Sequence, residues 1–126
     1  MIKYFTWKEL THTDTGIENQ PTDINIIANL IELAKELDTL RTYYGKPIIV
    51  NSGYRSKEVN AKVGGVSTSH HTMGLAADLT SKTDLEGLKK AILEQKNHFD
   101  QIIVYKTFVH VSIAPLMRHQ VIYKDK

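Results

Sequence analysis

The sequence predicts a small α+β domain, with helices packed against one face of a central antiparallel sheet. Three observations carry the prediction. The chain has 126 residues, the length of one domain, taken as 1–126. A long apolar stripe of helical period fills much of its first third. Short β-branched runs and one more helical segment follow. Hydrophobic residues make up 41% and charged residues 24%, which excludes an intrinsically disordered chain.

Taken in order, Phe5 and Trp7 are expected to anchor the N-terminus on the core. Pro21 introduces the clearest helix, with Thr22 or Asp23 as its cap. Ile27, Leu30, Ile31, Ala34, Leu37 and Tyr44 form its apolar stripe, and Gly45 and Pro47 stop it. Ile48-Ile49-Val50 reads as a buried strand. A short helix is expected over Ser56 to Lys62, ended by Gly64-Gly65, and a loop over Val66 to Gly74. From Leu75 to Thr80 the residues alternate, with Leu75, Ala77 and Leu79 on one face and Ala76, Asp78 and Thr80 on the other. Thr83 and Glu86 have capping-box spacing before Leu85, Leu88 and Ile92, although Gly87 weakens that helix by about 1 kcal/mol. Gln101 to Tyr105 and Phe108 to Ile113 read as a hairpin across Lys106-Thr107. Gln120 to Tyr123 is the last strand.

Sixteen Lys+Arg against 14 Asp+Glu leave a net charge of +2, too mild for a dedicated nucleic-acid binder. No window approaches the roughly 18 apolar residues of a membrane span. Met1 to Trp7 lacks the apolar stretch and cleavage site of a signal peptide. Cysteine is absent, which excludes disulfides, a thiolate nucleophile and cysteine-based metal sites. Any metal must be held by histidine and carboxylate, and six histidines are available.

Strand parity narrows the choice. Asp78 lies on the polar face of its strand, and His110 and Ser112 oppose Val109, Val111 and Ile113 in another. If the two strands share a sheet, Asp78 and His110 project from one face. His71, or its neighbour His70, precedes Asp78 across a turn containing Gly74 and can swing back over that face. Two imidazoles and one carboxylate form a common catalytic zinc shell, with a fourth position for water. The same spacing also fits a core histidine at position 110 and a capping carboxylate at position 78.

Ser69-His70-His71-Thr72-Met73-Gly74-Leu75-Ala76-Ala77-Asp78 resembles the S-x-H-x-x-G-x-A-x-D signature of the D-Ala-D-Ala carboxypeptidase-like zinc peptidases. That family acts on bacterial cell-wall peptides and shares its fold with VanX-type dipeptidases and the Hedgehog signalling domain. Ser52-Gly53-Tyr54-Arg55-Ser56, Asn60 and Val63-Gly64-Gly65 are similar to a second family stretch. Phe108-Val109-His110-Val111-Ser112 resembles its W-V-H-V-S strand. Phe5-Thr6 and Gly16-Ile17-Glu18-Asn19 resemble the opening of its short, often phage-encoded branch. The resemblance implies zinc as cofactor, with His71, Asp78 and His110 as ligands. It implies that Arg55 engages a substrate carboxylate or carbonyl oxygen, which suits its planar fork of donors. Ser69 would bind substrate or orient the loop.

The resemblance fails at one place. Relatives carry an acidic residue shortly before the third ligand, where a general base is needed. By the spacing of some branches the comparable position here is Thr107, and by that of the short branch it is Tyr105, following Phe99-Asp100-Gln101. If Lys106-Thr107 makes a two-residue turn, Tyr105 pairs with Phe108 and Ile103 with His110, so Tyr105 shares the face of His110. Tyr105 and Asp100 are therefore the candidate catalytic residues, although the parity of Asp100 points it to the opposite face. His70 is a further possible proton carrier. The function implied is zinc-dependent hydrolysis of peptidoglycan stem peptides, by a D-Ala-D-Ala carboxypeptidase or a cell-wall endopeptidase. The expected partner is a peptidoglycan peptide, with neither nucleic acid nor membrane, and the expected state is a monomer. The expected place of action is the bacterial cell wall, in the manner of a phage or prophage lysis enzyme. The alternative is a non-catalytic, zinc-containing module that binds wall peptide or protein.

Overall fold

A computed structural model describes residues 2–124. Thr6 opens the first helix, α1 (Trp7–Leu10), through a capping box with Glu9. This helix was not anticipated, because four residues are too few to show a period. Phe5 is buried as expected, and Trp7 is partly buried against the core. Asp23, one of the two expected caps, accepts from the backbone amides of Asn25 and Ile26 and starts α2 (Ile24–Tyr44). Gly45 ends α2 in the left-handed conformation at φ +80°. The buried stripe of α2 is Leu30, Leu33, Ala34, Leu37 and Leu40, whereas Ile31 is 37% exposed. The expected stripe was thus rotated slightly, since two leucines outside it face the core.

β1 (Ile49–Ser52), α3 (Lys57–Lys62) and a short 3₁₀ turn (His70–Met73) lead into β2 (Ala76–Thr80). α4 (Leu85–Glu94) is capped by Asp84, which accepts from the Gly87 amide, rather than by the expected Thr83. A Cβ on Gly87 would collide with that carboxylate, so the glycine makes room for the cap. β3 (Gln101–Val104) and β4 (Val109–Ser112) form the expected hairpin, with Ile103 opposite His110. The Tyr105 amide donates to the Phe108 carbonyl at 2.9 Å, closing the two-residue turn.

The five strands lie in the order β1-β2-β4-β3-β5, with β5 (Gln120–Tyr123) at one edge. All pairs are antiparallel except β3–β5, which is parallel. This departs from the purely antiparallel sheet expected. The cause is the 113–119 segment, which steps over the start of β3 and returns the chain alongside it. Buried Asp100 holds that crossing: it accepts from the Arg118 amide at 2.8 Å and from Arg118 Nη2 at 2.8 Å. Met117 and His119, on either side of Arg118, take positive φ angles of 44° and 55°.

One sheet face carries the core. The rows Leu79–Val109–Val104 and Ala77–Val111–Ile102 meet Leu33, Leu37 and Leu40 of α2 and Leu88 and Ile92 of α4 in one cluster. The opposite face carries the paired residues Ser52, Asp78, His110, Ile103 and Ile122, a row across all five strands. Burying the apolar rows against the helices therefore turns the polar residues of β1, β2 and β4 to the other side.

Candidate metal centre

Asp78 and His110 are direct cross-strand partners, so the backbone ladder itself sets their separation. His110 Nδ1 lies 3.0 Å from Asp78 Oδ1. His71 comes from the 3₁₀ turn, and its Nε2 lies 3.3 Å from the same oxygen. Ser69 caps that turn, its hydroxyl accepting from the His71 amide at 3.2 Å. Gly74 ends the turn at φ +74°, and a Cβ there would stand 2.8 Å from the Ile26 carbonyl. Glycine thus allows the turn to lie close against α2. One ligand atom from each of His71, Asp78 and His110 lies within 4.8 Å of the other two.

The hydrogen bonds around His71 decide its tautomer. Its Nδ1 is 2.7 Å from the Gly53 carbonyl, which can only accept. Nδ1 therefore carries a proton, and Nε2 is the ring atom that faces Asp78 Oδ1. Burial works to raise the Asp78 carboxyl, yet hydrogen bonds and charge from His110 and His71 outweigh it and hold the group well below the usual carboxylate range. Converging acceptor atoms in a pocket where the His71, Asp78 and His110 side chains are 4%, 12% and 13% exposed call for a proton or a cation among them. The donor set fits a zinc ion, which takes imidazole nitrogen and carboxylate oxygen. The Gly53 carbonyl supplies the outer hydrogen bond that orients a ligating histidine.

Arg55 stands on the far side of Asp78. Its Nη2 donates to Asp78 Oδ2 at 3.3 Å, its Nε to Ser52 Oγ at 3.0 Å and its Nη1 to Asn60 Oδ1 at 3.3 Å. These bonds use three of the five guanidinium hydrogens and leave two for another oxygen. The backbone here is tied on both sides. The Arg55 amide donates to the His71 carbonyl at 3.0 Å, and the Tyr54 amide to the Leu10 carbonyl at 2.8 Å. A Cβ at Gly53 would collide with that Leu10 carbonyl, so close approach of α1 requires glycine. Asn19 completes the clamp by donating to the Thr11 and Tyr54 carbonyls and accepting from the Ser56 amide.

Of the two candidate catalytic residues, Asp100 is engaged outside this cluster, and Tyr105 makes its contacts at the turn after β3. The Asp100 carboxylate is engaged by Arg118 at the start of β3, as its parity foreshadowed. Hydrogen bonds from the Arg118 side chain hold that carboxyl below its ordinary range, against the effect of burial. Tyr105 stacks on Phe108, with ring centroids 4.4 Å apart and planes 14° from parallel. No hydrogen bond connects Tyr105 to the three donors. Gly53, Asn19, Ser52 and Ser112 were not read from the sequence as site residues in this sense. Ser112 is buried one row from His110, and among the described residues its hydroxyl is the buried side-chain polar atom with no partner. Its strand parity and its place in the stretch resembling W-V-H-V-S were the available signals.

The fold and this donor set define the class: a small α+β domain with a two-histidine, one-carboxylate centre of the metallopeptidase kind. A model of the Peptidase M15 family matches residues 3–112, and the chain belongs to that family. Among the described residues, His71, Asp78 and His110 are the cluster that can hold a metal ion. The zinc D-Ala-D-Ala carboxypeptidase of Streptomyces albus G is 47% identical over 53 residues. That match covers 41% of this chain and 21% of the Streptomyces protein. No helix among the described residues is long and apolar enough to cross a membrane.

Proposed function

We propose that this protein hydrolyses peptidoglycan stem peptides at the bacterial cell wall, as a D-Ala-D-Ala carboxypeptidase or a short endopeptidase. The observation that supports this reading best is the convergence of His71 Nε2 and His110 Nδ1 on Asp78 Oδ1, with Arg55 against the second Asp78 oxygen. When bound, the metal supplies Lewis acidity at the scissile carbonyl and an acidified water. The chain's own residues supply position and charge. Gly53 fixes the His71 ring, and Arg55 holds Asp78 with one edge while offering its remaining hydrogens to a substrate carboxylate or developing oxyanion. Ser69 keeps the His71 turn in place. Turnover of a D-Ala-D-Ala-terminated pentapeptide or cross-linked muropeptides by zinc-loaded protein tests the reading. It should vanish in His110→Ala.

A second reading is a zinc-containing module that binds wall peptide without cleaving it. It is favoured by Tyr105, which takes the place of the acid seen in relatives and is stacked on Phe108. It predicts stoichiometric zinc and peptide binding without turnover. Tyr105→Glu should then introduce hydrolysis, because a positioned general base contributes about 10²–10⁴-fold.

A further inference from the structure

The row that holds Asp78 and His110 does not end with them. Ile103 pairs with His110 on β3, and Ile122 pairs with Ile103 on β5. Both isoleucines are only partly buried, on the face opposite the long helices. Packing does not account for them, since Val104 and Ile102 supply the β3 contribution to the core. The strip has defined borders. On one side lie Gln101 and Gln120, whose side chains are hydrogen-bonded at 2.8 Å. On the other lies the Tyr105–Phe108 stack. The strip is therefore an apolar floor between a polar edge and an aromatic wall, continuous with the metal donors.

We infer that Ile103 and Ile122 form the subsite for the part of the substrate on the amino side of the scissile bond. The inference rests on the peptidase reading above and specifies its substrate. Polarity fixes the direction. The cation, Arg55, lies at the β1–β2 end of the row, so a substrate carboxylate belongs there. The apolar floor lies at the β3–β5 end, so the rest of the peptide runs that way. Length follows from strand spacing. From β4 to β5 is two strand intervals, about 9–10 Å, which an extended peptide crosses in roughly three residues at about 3.3 Å each. The substrate class is thus an extended peptide with aliphatic side chains or stems over its first two or three residues before the cut. Its backbone polar groups would meet the glutamine edge.

The test compares zinc-loaded wild type with Ile122→Ser on acetyl-D-Ala-D-Ala and on the same dipeptide extended by two aliphatic residues. Ile122→Val serves as the folding control. The floor predicts a KM about tenfold lower for the longer peptide in wild type, the equivalent of about 1.4 kcal/mol. Ile122→Ser should erase that advantage, and Ile122→Val should retain it. An equal KM for both peptides in wild type, or an advantage that survives Ile122→Ser, overturns the proposal. If wild type cleaves neither peptide, the same comparison is made by calorimetric binding. Tighter binding of the longer peptide, lost in Ile122→Ser, then keeps the floor and discards hydrolysis. Equal binding or no binding discards the floor.

Discussion

On the β1–β2–β4 side of the open sheet face, polar groups hold one another. Arg55 is bonded to Ser52, Asn60 and Asp78, His71 to Gly53, and His110 to Asp78. On the β3–β5 side of the same face, Ile103 and Ile122 stand partly exposed beside a glutamine pair and a stacked tyrosine. The first half buries charge, which is tolerable only when each group is paired, so its geometry is over-determined before any ligand arrives. The second half carries few internal commitments, and its strong tie, Asp100–Arg118, lies at the start of β3. Rigid donors beside a loosely committed apolar strip suit a site that must place a metal closely but accept a varied peptide.

The largest effect should come from breaking the paired half at its centre. His71→Ala is expected to lower zinc retention, read by elemental analysis, by more than about hundredfold, since outer-shell changes alone cost 10–100-fold. Retention at wild-type stoichiometry would show that the pairing does not serve a metal. Breaking the tie of the outer half comes next. Asp100→Asn should lower stability by about 1–3 kcal/mol, because hydrogen bonds to a charged partner are lost inside the protein. Thermal unfolding measures it, and zinc stoichiometry should not change. The pH sign follows from the depressed Asp100 carboxyl. Its stabilisation is fully present above the unfolded-state pKa of about 3.9 and fades as pH falls toward the lower folded-state value. The Asn variant should lose less stability between about pH 5 and pH 3 than wild type.

Arg55→Lys tests whether the guanidinium fork, rather than charge alone, couples Asp78 to substrate. Lysine keeps the charge but not the fork, so kcat/KM on the pentapeptide should fall by about tenfold while the fold is retained. A fall of less than about twofold would reduce Arg55 to a charge. The smallest effect is expected from Gln120→Ala. Gln120 is exposed, and its loss should alter the unfolding free energy by no more than about 0.5 kcal/mol. A larger loss would mean that the outer half is more committed than its hydrogen bonds indicate.

Local pattern marked most of what periodicity can mark. The helix after Pro21, the alternation around Asp78, the hairpin register that sets Ile103 against His110 and the final strand are all present. The strongest signals were regular repeats of buried and exposed positions, which depend on nearby residues alone. Less visible were contacts whose partners lie far apart in the chain. Asn19 joins Tyr54 and Ser56, the Leu10 carbonyl meets Tyr54, and Gly53 fixes the His71 ring. No spacing rule relates those positions.

The sequence by itself determined which faces of its strands are polar, and so which residues share the side carrying Asp78 and His110. It also determined that any metal would meet nitrogen and oxygen, because the chain has no cysteine. Only the tertiary structure decided that β5 runs parallel to β3, because the cause is a crossing pinned by the distant pair Asp100 and Arg118. Only it brought His71 beside Asp78 with a defined tautomer, and only it extended the donor row into two isoleucines. Parity is a local property of the backbone. Which strands become neighbours, and which carbonyl meets which ring, is settled when the core closes.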